Sequence, residues 1–528
     1  MAGSRSEDGS VRYNRRVAAS LPASTPPWLS ALSGARVVSG VPRDAADISH
    51  DSRRIRPGGI FVAIPGAQAD GHDFIPAAVA NGAAAVIVQA DRRARWQPHV
   101  VAGVAFIAVP DARAALAEAA AGVYGHPAGA LGMVGVTGTD GKTTTTHLIA
   151  HVLTATGHRA GYLSSVAFGD GAASELNASH MTTLEASDVQ RELRRIADAG
   201  ACYAVVEASS IGLELHRVDQ CAFDVGVFTN LTPDHLDFHG TMDAYRASKA
   251  KLFGMVAASG GKGVPKAAVL NADDPASAAM RAAAPGVPAL TYALHAQADV
   301  TAREIARQGS GTRFIVRTGD ADLPATTPLA GDFNVADCLA AVAAALSQGV
   351  TLAAAAAALA TFPGVPGRME LIEEGQPFRV VVDIASTEPA MRNVLGALRP
   401  ATEGRLIVVF GAAGERDFAR RSGIARAVAE GADFALIANE DPRGEDPDAI
   451  IDEIARALAA SGFREGAQFV REPDRRRAIE AAFHRAQPGD TVLLAGKGTE
   501  PSIVIGTTHL PWDERRMARE LLRGLRGV

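Results

Sequence analysis

A lysine and a threonine directly after a helix-opening glycine, Gly141-Lys142-Thr143, are the residues whose types and spacing speak most directly of chemistry. They lie in LGMVGVTGTDGKTTTTHLIAHVLTATG, residues 131 to 157, where Gly138, Thr139, Asp140, Gly141, Lys142, Thr143 and Thr144 make a glycine-rich turn. In such a turn the backbone N–H groups point inward at an anion and the helix N-terminus adds partial positive charge. The lysine can bridge the outer phosphates of a nucleotide and the threonine hydroxyl can hold Mg2+. Val136 stands where the first glycine of G-x-x-x-x-G-K-[ST] belongs, so the strict spacing is missed. Glu207 ends the apolar run of ACYAVVEASS, with Ser209 just beyond, and Asp234-His235 follows CAFDVGVFTN in LTPDHLDFHG. Hard oxygen ligands and an imidazole beside phosphates are what a cation needs in order to neutralise charge during transfer. Later apolar runs end on Asp383, on Arg416 in GAAGERD, on Glu440-Asp441-Pro442-Arg443, and on Lys497 with Glu500. An arginine in a turn suits a planar carboxylate or phosphate, and a cluster of both signs suits a zwitterion. Asp51-Ser52-Arg53 and Gly66-Ala67-Gln68 are turn sequences beside strands, positioned either to face a ligand or only to close the turn.

The elements that must position these residues follow from periodicity. Leu131 to Val136 reads as a buried strand, and a helix is expected from Thr143 until Gly157 stops it. Strands alternating with helices imply a parallel sheet, whose ligands sit at the carboxyl edge, where Glu207, Ser209, Asp234 and His235 fall. From Val37 to about Pro110 short strands surround a helical AAVANGAAA and the strand AVIVQA, a small α/β unit of its own. From about Gly367 the strands FRVVVDIA, RLIVVFGAAG, FALIAN and TVLLAGKG are each followed by a helical run, the pattern of a doubly wound sheet. GAAGERD has the wrong glycine spacing for a dinucleotide fingerprint. The Ala-rich stretch from Ala340 to Ala360 carries Ser347-Gln348-Gly349 in its middle and reads as two packed helices rather than a membrane span.

A chain of 528 residues exceeds a single core, so three domains are expected. With 21% charged residues and a net charge of −6 it has neither a nucleic-acid stripe nor a polybasic membrane anchor, and neither partner is expected. Cys202, Cys221 and Cys338 lack metal spacing and lie near apolar runs, which reads as buried structural thiols in a reducing compartment. Arg15-Arg16 precedes a segment broken by Ser20, Pro22, Ser24 and Pro26, so an unstructured start is favoured over a twin-arginine export signal. The protein is expected in the cytoplasm.

Together these segments resemble the Mur ligases, the ATP-dependent amide ligases that build the peptidoglycan stem peptide, and among them the ligases that add its third amino acid. The motifs that carry the resemblance run in family order from about residue 35: DSRRIRPGGIFVAIPGAQADGHDF, GVTGTDGKTTT, EASSIGL, TNLTPDHLDFHGTMDAYRASKAKLF, LNADDP, GDFNVADCLAA, VPGRME, EDPRGEDP and AGKGTE. After a start over 1–30 that its polar, Pro-rich composition marks as disordered, the resemblance implies an α/β protein of three domains: a UDP-sugar domain over 31–130, a central P-loop ATPase domain over 131–365, and a C-terminal doubly wound, Rossmann-like domain over 366–528. It implies ATP and Mg2+ as cofactors and a monomeric enzyme. Ser52, Ala67, Gln68 and Ala69 would meet the uridine end; Thr182, Thr183, Ser209 and Arg217 would meet the muramoyl dipeptide. ATP would be held by the phosphate loop with Asn334, Arg368 and Asp383. Lys142, Thr143, Glu207 and His235 would act on phosphate and metal, joined by a carbamylated Lys249 in Tyr245-x-x-x-Lys249, with Lys251 the weaker candidate. A bare ammonium beside Mg2+ is repelled, and CO2 turns it into an anionic oxygen ligand. Arg416, Glu440, Asp441, Arg443, Gly496 and Glu500 would receive the incoming amino acid.

The resemblance implies a reaction: the γ-phosphate of ATP passes to the carboxylate of UDP-N-acetylmuramoyl-L-alanyl-D-glutamate, and a diamino acid attacks the acyl phosphate. Arg443 keeps the arginine of the D-N-P-R pattern that goes with meso-diaminopimelate, whereas Glu440-Asp441 adds acid suited to a distal ammonium; meso-diaminopimelate is favoured over lysine or ornithine. The chain departs from family patterns at Asp337 for asparagine, at Ile211, Ser386 and Thr499 for histidines, and at Ile384 for an aromatic. Two alternatives follow from these departures: a paralogous ligase acting on another carboxylate, or a relative without turnover. Intact Lys142, Thr143, Glu207, His235 and Lys249 argue against the second.

Overall fold

The computed structural model describes residues 25–66, 69–179, 181–308, 311–415 and 418–526. Most of the expected disordered start and the Arg15-Arg16 pair therefore lie outside the described residues. Pro27–Ser30, inside the segment expected to be disordered, instead forms a helical turn with Trp28 1% exposed. The indole N–H donates to the Arg43 carbonyl at 2.9 Å, which ties this turn to the first compact unit, 1–123.

That unit carries a five-stranded sheet in the order Arg36–Ser39, Ala105–Val109, Ala85–Gln89, Ile60–Ala63, Ile48–Ser49. The first pairing is antiparallel and the rest are parallel. AAVANGAAA is not one helix: Ile75–Ala80 is helical, Asn81 ends it, and Ala85 already belongs to a strand. Gly82, at φ +92, makes the reversal, a conformation that side chains resist.

The second unit, 124–528, holds an 11-stranded and a six-stranded sheet. In the larger sheet Gly132–Thr137 lies between Val225–Phe228 and Tyr203–Glu207, all parallel. Both faces of these strands are covered, so alternate residues enter different cores. Val134, Val136 and Val205 pack with Leu148 and Val152 of the helix Lys142–Ala155 and with Asp332–Ser347. Met133, Ala204 and Val206 pack with Leu193 of the helix Ala186–Asp198 and Leu252 of the helix Met242–Ala258 on the other face. The Ala-rich stretch forms two helices, Asp332–Ser347 and Leu352–Leu359, with Gly349 at φ +84 in the turn. Three strands, Val300–Gln308, Gly311–Thr318 and Ala321–Thr327, extend this sheet as an antiparallel meander.

The six-stranded sheet has Arg379–Asp383, Thr491–Ala495, Leu406–Phe410 and Phe434–Ile437 parallel at its centre, with helices between successive strands. Short strands Glu370–Ile372 and Phe469–Arg471 form its edges. Cys221 and Cys338 are buried, but Cys202 is exposed: it precedes the strand Tyr203–Glu207, and its backbone rather than its side chain joins the sheet. Among the described residues no helix is long and apolar enough to cross a membrane.

Candidate active site

The strand Gly132–Thr137 runs into the turn 138–141, and the helix Lys142–Ala155 starts at once. Gly138 is at φ +153, and a Cβ there would lie 1.8 Å from Thr229 Oγ1; Gly141 is at φ +79 with Asp337 Oδ1 2.4 Å from its would-be Cβ. These close approaches draw the loop tight. Thr229 Oγ1 donates to the Asp140 carbonyl at 2.6 Å, and Asn230 Oδ1 accepts from the Asp140 N–H at 2.9 Å, so the neighbouring strand end clamps the turn. The Lys142 ammonium donates to the carbonyls of Gly138 (3.2 Å) and Thr139 (2.8 Å).

Lys249, on the helix Met242–Ala258, reaches the same Gly138 carbonyl at 2.6 Å and lies 4.3 Å from the centre of the Tyr245 ring. It is 1% exposed, and burial, reinforced by the Lys142 ammonium, pushes its pKa well below a lysine's ordinary value. Lys251, two residues on, faces outward and pairs with Glu214. His235 occupies a left-handed conformation, φ 53, unusual for a non-glycine residue. Its Nε2 is 3.4 Å from Asp234 Oδ2. Burial lowers the His235 pKa against the pull of Asp234, a shift that favours the neutral imidazole. Burial raises the Asp140 carboxyl, with Lys142 opposing. Lys142, Lys249, Asp140, Asp234 and His235 thus act on one another electrostatically at one strand edge.

Glu207 ends its strand fully buried, in register with Val136 and so one strand from the phosphate loop. Its oxygens accept from the Ser165 N–H (2.9 Å) and the Ser165 hydroxyl (2.8 Å). Thr183 Oγ1 donates to the Glu207 carbonyl at 2.8 Å and pairs with Ser209 Oγ at 2.9 Å; Arg217 donates to the Thr183 carbonyl and to Glu185. The expected Thr183–Ser209–Arg217 group is therefore one hydrogen-bonded patch beside Glu207.

Arg368 Nη2 approaches Thr143 Oγ1 at 3.5 Å, while its Nε is buried without a partner. Asp383 accepts from the N–H groups of Met369 (2.7 Å) and Ala385 (2.7 Å), bracing the Arg368 loop. Asn334, near the start of its helix, donates to the Ala330 carbonyl at 2.7 Å. Asp337 is buried behind Gly141 and accepts from Thr145 Oγ1 at 3.0 Å; burial raises its pKa well above the usual carboxylate range.

At the carboxyl edge of the six-stranded sheet, the buried Lys497 ammonium donates to Asp441 (2.8 Å) and Glu500 (2.6 Å). Glu440 is 6% exposed with Oε2 unpartnered, and a Cβ on Gly496 would meet that oxygen at 2.5 Å. Burial, with the Glu500 charge adding to it, pushes Glu440 up to about 7. Arg443 has φ 53, its N–H bonded to the Val504 carbonyl. Arg416 lies outside the described residues, as do Ala67 and Gln68 in the first unit. There Ser52 is 7% exposed, and its carbonyl accepts from Asn81 Nδ2 at 2.9 Å; the Ala69 carbonyl accepts from the Gly66 N–H at 3.0 Å.

A hollow of about 140 Å3 joins several of these segments: Ser165, Val166, Asn177, Met181, Thr182, Arg368, Ile384, Thr499, Glu500 and Pro501 line it. Arg368, Thr182 and Glu500 were expected in three different ligand sites, and here they border one space. Ser165 and Asn177 were not expected. The signal that was available is position, since Ser164-Ser165 directly follows the apolar run of the strand Ala160–Leu163, at the same sheet edge as Glu207.

The expected metal set can be tested against its surroundings. Among the described residues no three His, Cys, Asp or Glu side chains group as a metal cage. Mg2+ ordinarily keeps waters and takes only one or two carboxylates besides substrate phosphates. Glu207, held by Ser165, supplies one such carboxylate, and the Thr143 hydroxyl opens the helix after the glycine turn.

The sequence matches three family models: the Mur ligase family catalytic domain over residues 46–124, the Mur ligase middle domain over 136–345, and the Mur ligase glutamate ligase domain over 367–498. A UDP-N-acetylmuramyl-tripeptide synthetase of Roseiflexus sp. is 47% identical over 489 residues, 91% of this chain and 95% of the relative. The chain belongs to the Mur ligase family. A UDP-N-acetylmuramoyl-L-alanyl-D-glutamate–2,6-diaminopimelate ligase of Geobacillus thermodenitrificans is 39% identical over 497 residues, 94% of this chain and 98% of the relative. The solved structure of another such ligase aligns with a TM-score of 0.61 at 32% identity, covering 91% of this chain and 95% of that one. The Mur ligases are ATP-dependent amide ligases, and this protein is one of them.

Proposed function

We propose that this Mur ligase joins meso-diaminopimelate to UDP-N-acetylmuramoyl-L-alanyl-D-glutamate, driven by ATP, in the cytoplasm and as a monomer. The observation that carries the reading is the shared hollow: Arg368, Thr182 and Glu500, assigned to the nucleotide, the muramoyl dipeptide and the amino acid, border one space of about 140 Å3, so the three assignments converge on one place. The labour divides among 31–130 for the UDP end, 131–365 for ATP and the dipeptide, and 366–528 for the amino acid.

The loop 138–144 and Lys142 receive the ATP phosphates, with Asn334, Arg368 and Asp383 at the nucleoside. Ser52 and the 67–69 turn serve the uridine end, while Thr182, Thr183, Ser209 and Arg217 hold the dipeptide with its terminal carboxylate near Lys142. Carboxylate oxygen is a poor leaving group and phosphate a good one, so transfer of the γ-phosphate prepares the carbon for attack by the incoming amine. Lys142 opposes the charge that develops, and closure of the segments around the hollow keeps water from the acyl phosphate. Thr143, Glu207, His235 and Lys249 would hold Mg2+, which supplies positive charge at the transferring phosphoryl group. The depressed pKa of Lys249 favours its free amine, the form that adds CO2, and so supports its carbamylation.

The charge balance supports meso-diaminopimelate over lysine or ornithine. Lys497 pairs with both Asp441 and Glu500, which leaves Arg443 for a distal carboxylate and the unpartnered Glu440 Oε2 for an ammonium. The test is ADP release with the UDP-muramoyl dipeptide and a panel of diamino acids. Release with diaminopimelate alone is expected; release with none of them sinks the proposal.

A further inference from the structure

Glu207 is a long side chain that a ligand role requires to be fixed, and it is fully buried at a strand end. Both its oxygens are addressed by a single residue of the neighbouring strand end: the Ser165 N–H meets Oε1 at 2.9 Å and the Ser165 hydroxyl meets Oε2 at 2.8 Å. Each carboxylate oxygen can accept about two bonds, so this grip leaves one lone pair on each for another partner.

The turn that supplies the grip is itself held from two sides. Ser164 Oγ accepts from the N–H groups of Val166 (3.2 Å) and Ala167 (3.0 Å) and exchanges a hydrogen bond with His147 Nε2 at 2.9 Å. His147 lies on the helix that the phosphate loop opens, and burial drives its pKa down to about 3, so this contact is made by a neutral ring. From the other side Asn177 Nδ2 donates to the carbonyls of Ser164 (3.0 Å) and Met181 (2.9 Å), next to Thr182 and Thr183. Ser165 also lines the hollow where Arg368, Thr182 and Glu500 meet.

We infer that Ser165 is a positioning residue, whose N–H and hydroxyl together orient the Glu207 carboxylate so that its remaining lone pairs face the cation of the proposed reaction. Groups one layer behind a ligand fix its orientation, and their loss commonly weakens metal affinity by about 10–100-fold. The inference rests on the proposed role of Glu207 as a ligand, so the experiment carries a separate arm for that role.

Mn2+ serves as the probe, its free concentration followed by electron paramagnetic resonance with the full-length protein and ADP. Ser165→Ala keeps the backbone donor and loses the hydroxyl, and Ser165→Thr restores a hydroxyl. The expected result is a Mn2+ dissociation constant about 10–100-fold higher in Ser165→Ala, recovery in Ser165→Thr, and thermal unfolding midpoints unchanged in both. Ser165→Cys, of similar size and with a weak donor, serves should the alanine variant fail to fold. If Glu207→Gln weakens Mn2+ binding while Ser165→Ala and Ser165→Cys bind as the parent does, the positioning role is overturned and the metal role of Glu207 stands. If Glu207→Gln itself binds Mn2+ unchanged, both are overturned together.

Discussion

Gly141→Ala tests how the phosphate loop is held. At φ +79 an alanine in the left-handed region costs about 1–2 kcal/mol in backbone strain. Its Cβ would lie 2.4 Å from Asp337 Oδ1, well inside contact distance, and such overpacking adds about 1–3 kcal/mol. The expected total is about 2–5 kcal/mol. The two contributions separate in a double-mutant cycle, because Asp337→Ala removes the atom that is struck and leaves the strain. In that background Gly141→Ala should cost only the strain, giving a coupling of about 1–3 kcal/mol between the two positions. The assay is urea unfolding of the transition that added ADP shifts upward, since ligand linkage identifies the domain that carries the loop. If the glycine substitution costs the same in both backgrounds, to within about 0.5 kcal/mol, then Asp337 does not buttress the loop and the reasoning is wrong.

Glu440 makes stability pH-dependent. Its folded pKa of about 7 exceeds the ordinary 4.5, so its contribution is fully present below pH 4.5 and is lost as pH rises through 7. The full loss is about 3 kcal/mol, and Glu440→Gln should flatten urea midpoints between pH 4.5 and 8 and stabilise the protein at pH 8. Arg475 and Glu514 form a bidentate pair, 1% and 0% exposed, and Glu514→Gln leaves a buried guanidinium uncompensated; a loss of about 3–5 kcal/mol in denaturant unfolding is expected. Lys142→Met should lower the rate of ADP release on the order of 10²–10³-fold with the melting midpoint unchanged, because Lys142 hydrogen-bonds only its own loop's carbonyls among the contacts described. A matching fall in the melting midpoint would instead make Lys142 a structural residue.

The parts of the site that sequence exposes are those written in local order. Apolar strand, glycine turn and helix follow one another from Leu131 to Ala155, so the phosphate loop and the placement of Glu207 at a strand's carboxyl end were legible. The two Ala-rich helices were legible too, because Ser347-Gln348-Gly349 supplies the turn. What escaped depends on contacts between distant segments. Nothing near Lys497 in sequence says that it neutralises Asp441, 56 positions away, and nothing near Ser165 says that it grips Glu207, 42 positions away. The helix expected over AAVANGAAA fails for a local reason, since Asn81-Gly82 reverses the chain where alanine propensity alone would continue it. Cys202 misleads because the apolar run beside it is buried at every residue from Tyr203 to Glu207, while Cys202 falls just before that run starts.

Ile384 and Thr499, two positions read in the sequence as departures from family patterns, lie at one place in the fold. A Cβ on Gly498 would meet Ile384 Cβ at 2.9 Å, and a Cβ on Gly367 would meet Thr499 Cγ2 at 2.8 Å and the Gly498 carbonyl carbon at 2.7 Å. The two positions therefore pack against one crossing of backbone, Gly367 over Gly498, and both line the hollow that Arg368 and Glu500 border. The hydrogen bonds described for Lys142, Glu207 and Lys249 involve neither position, so a larger side chain at 384 or 499 would narrow the hollow without breaking them.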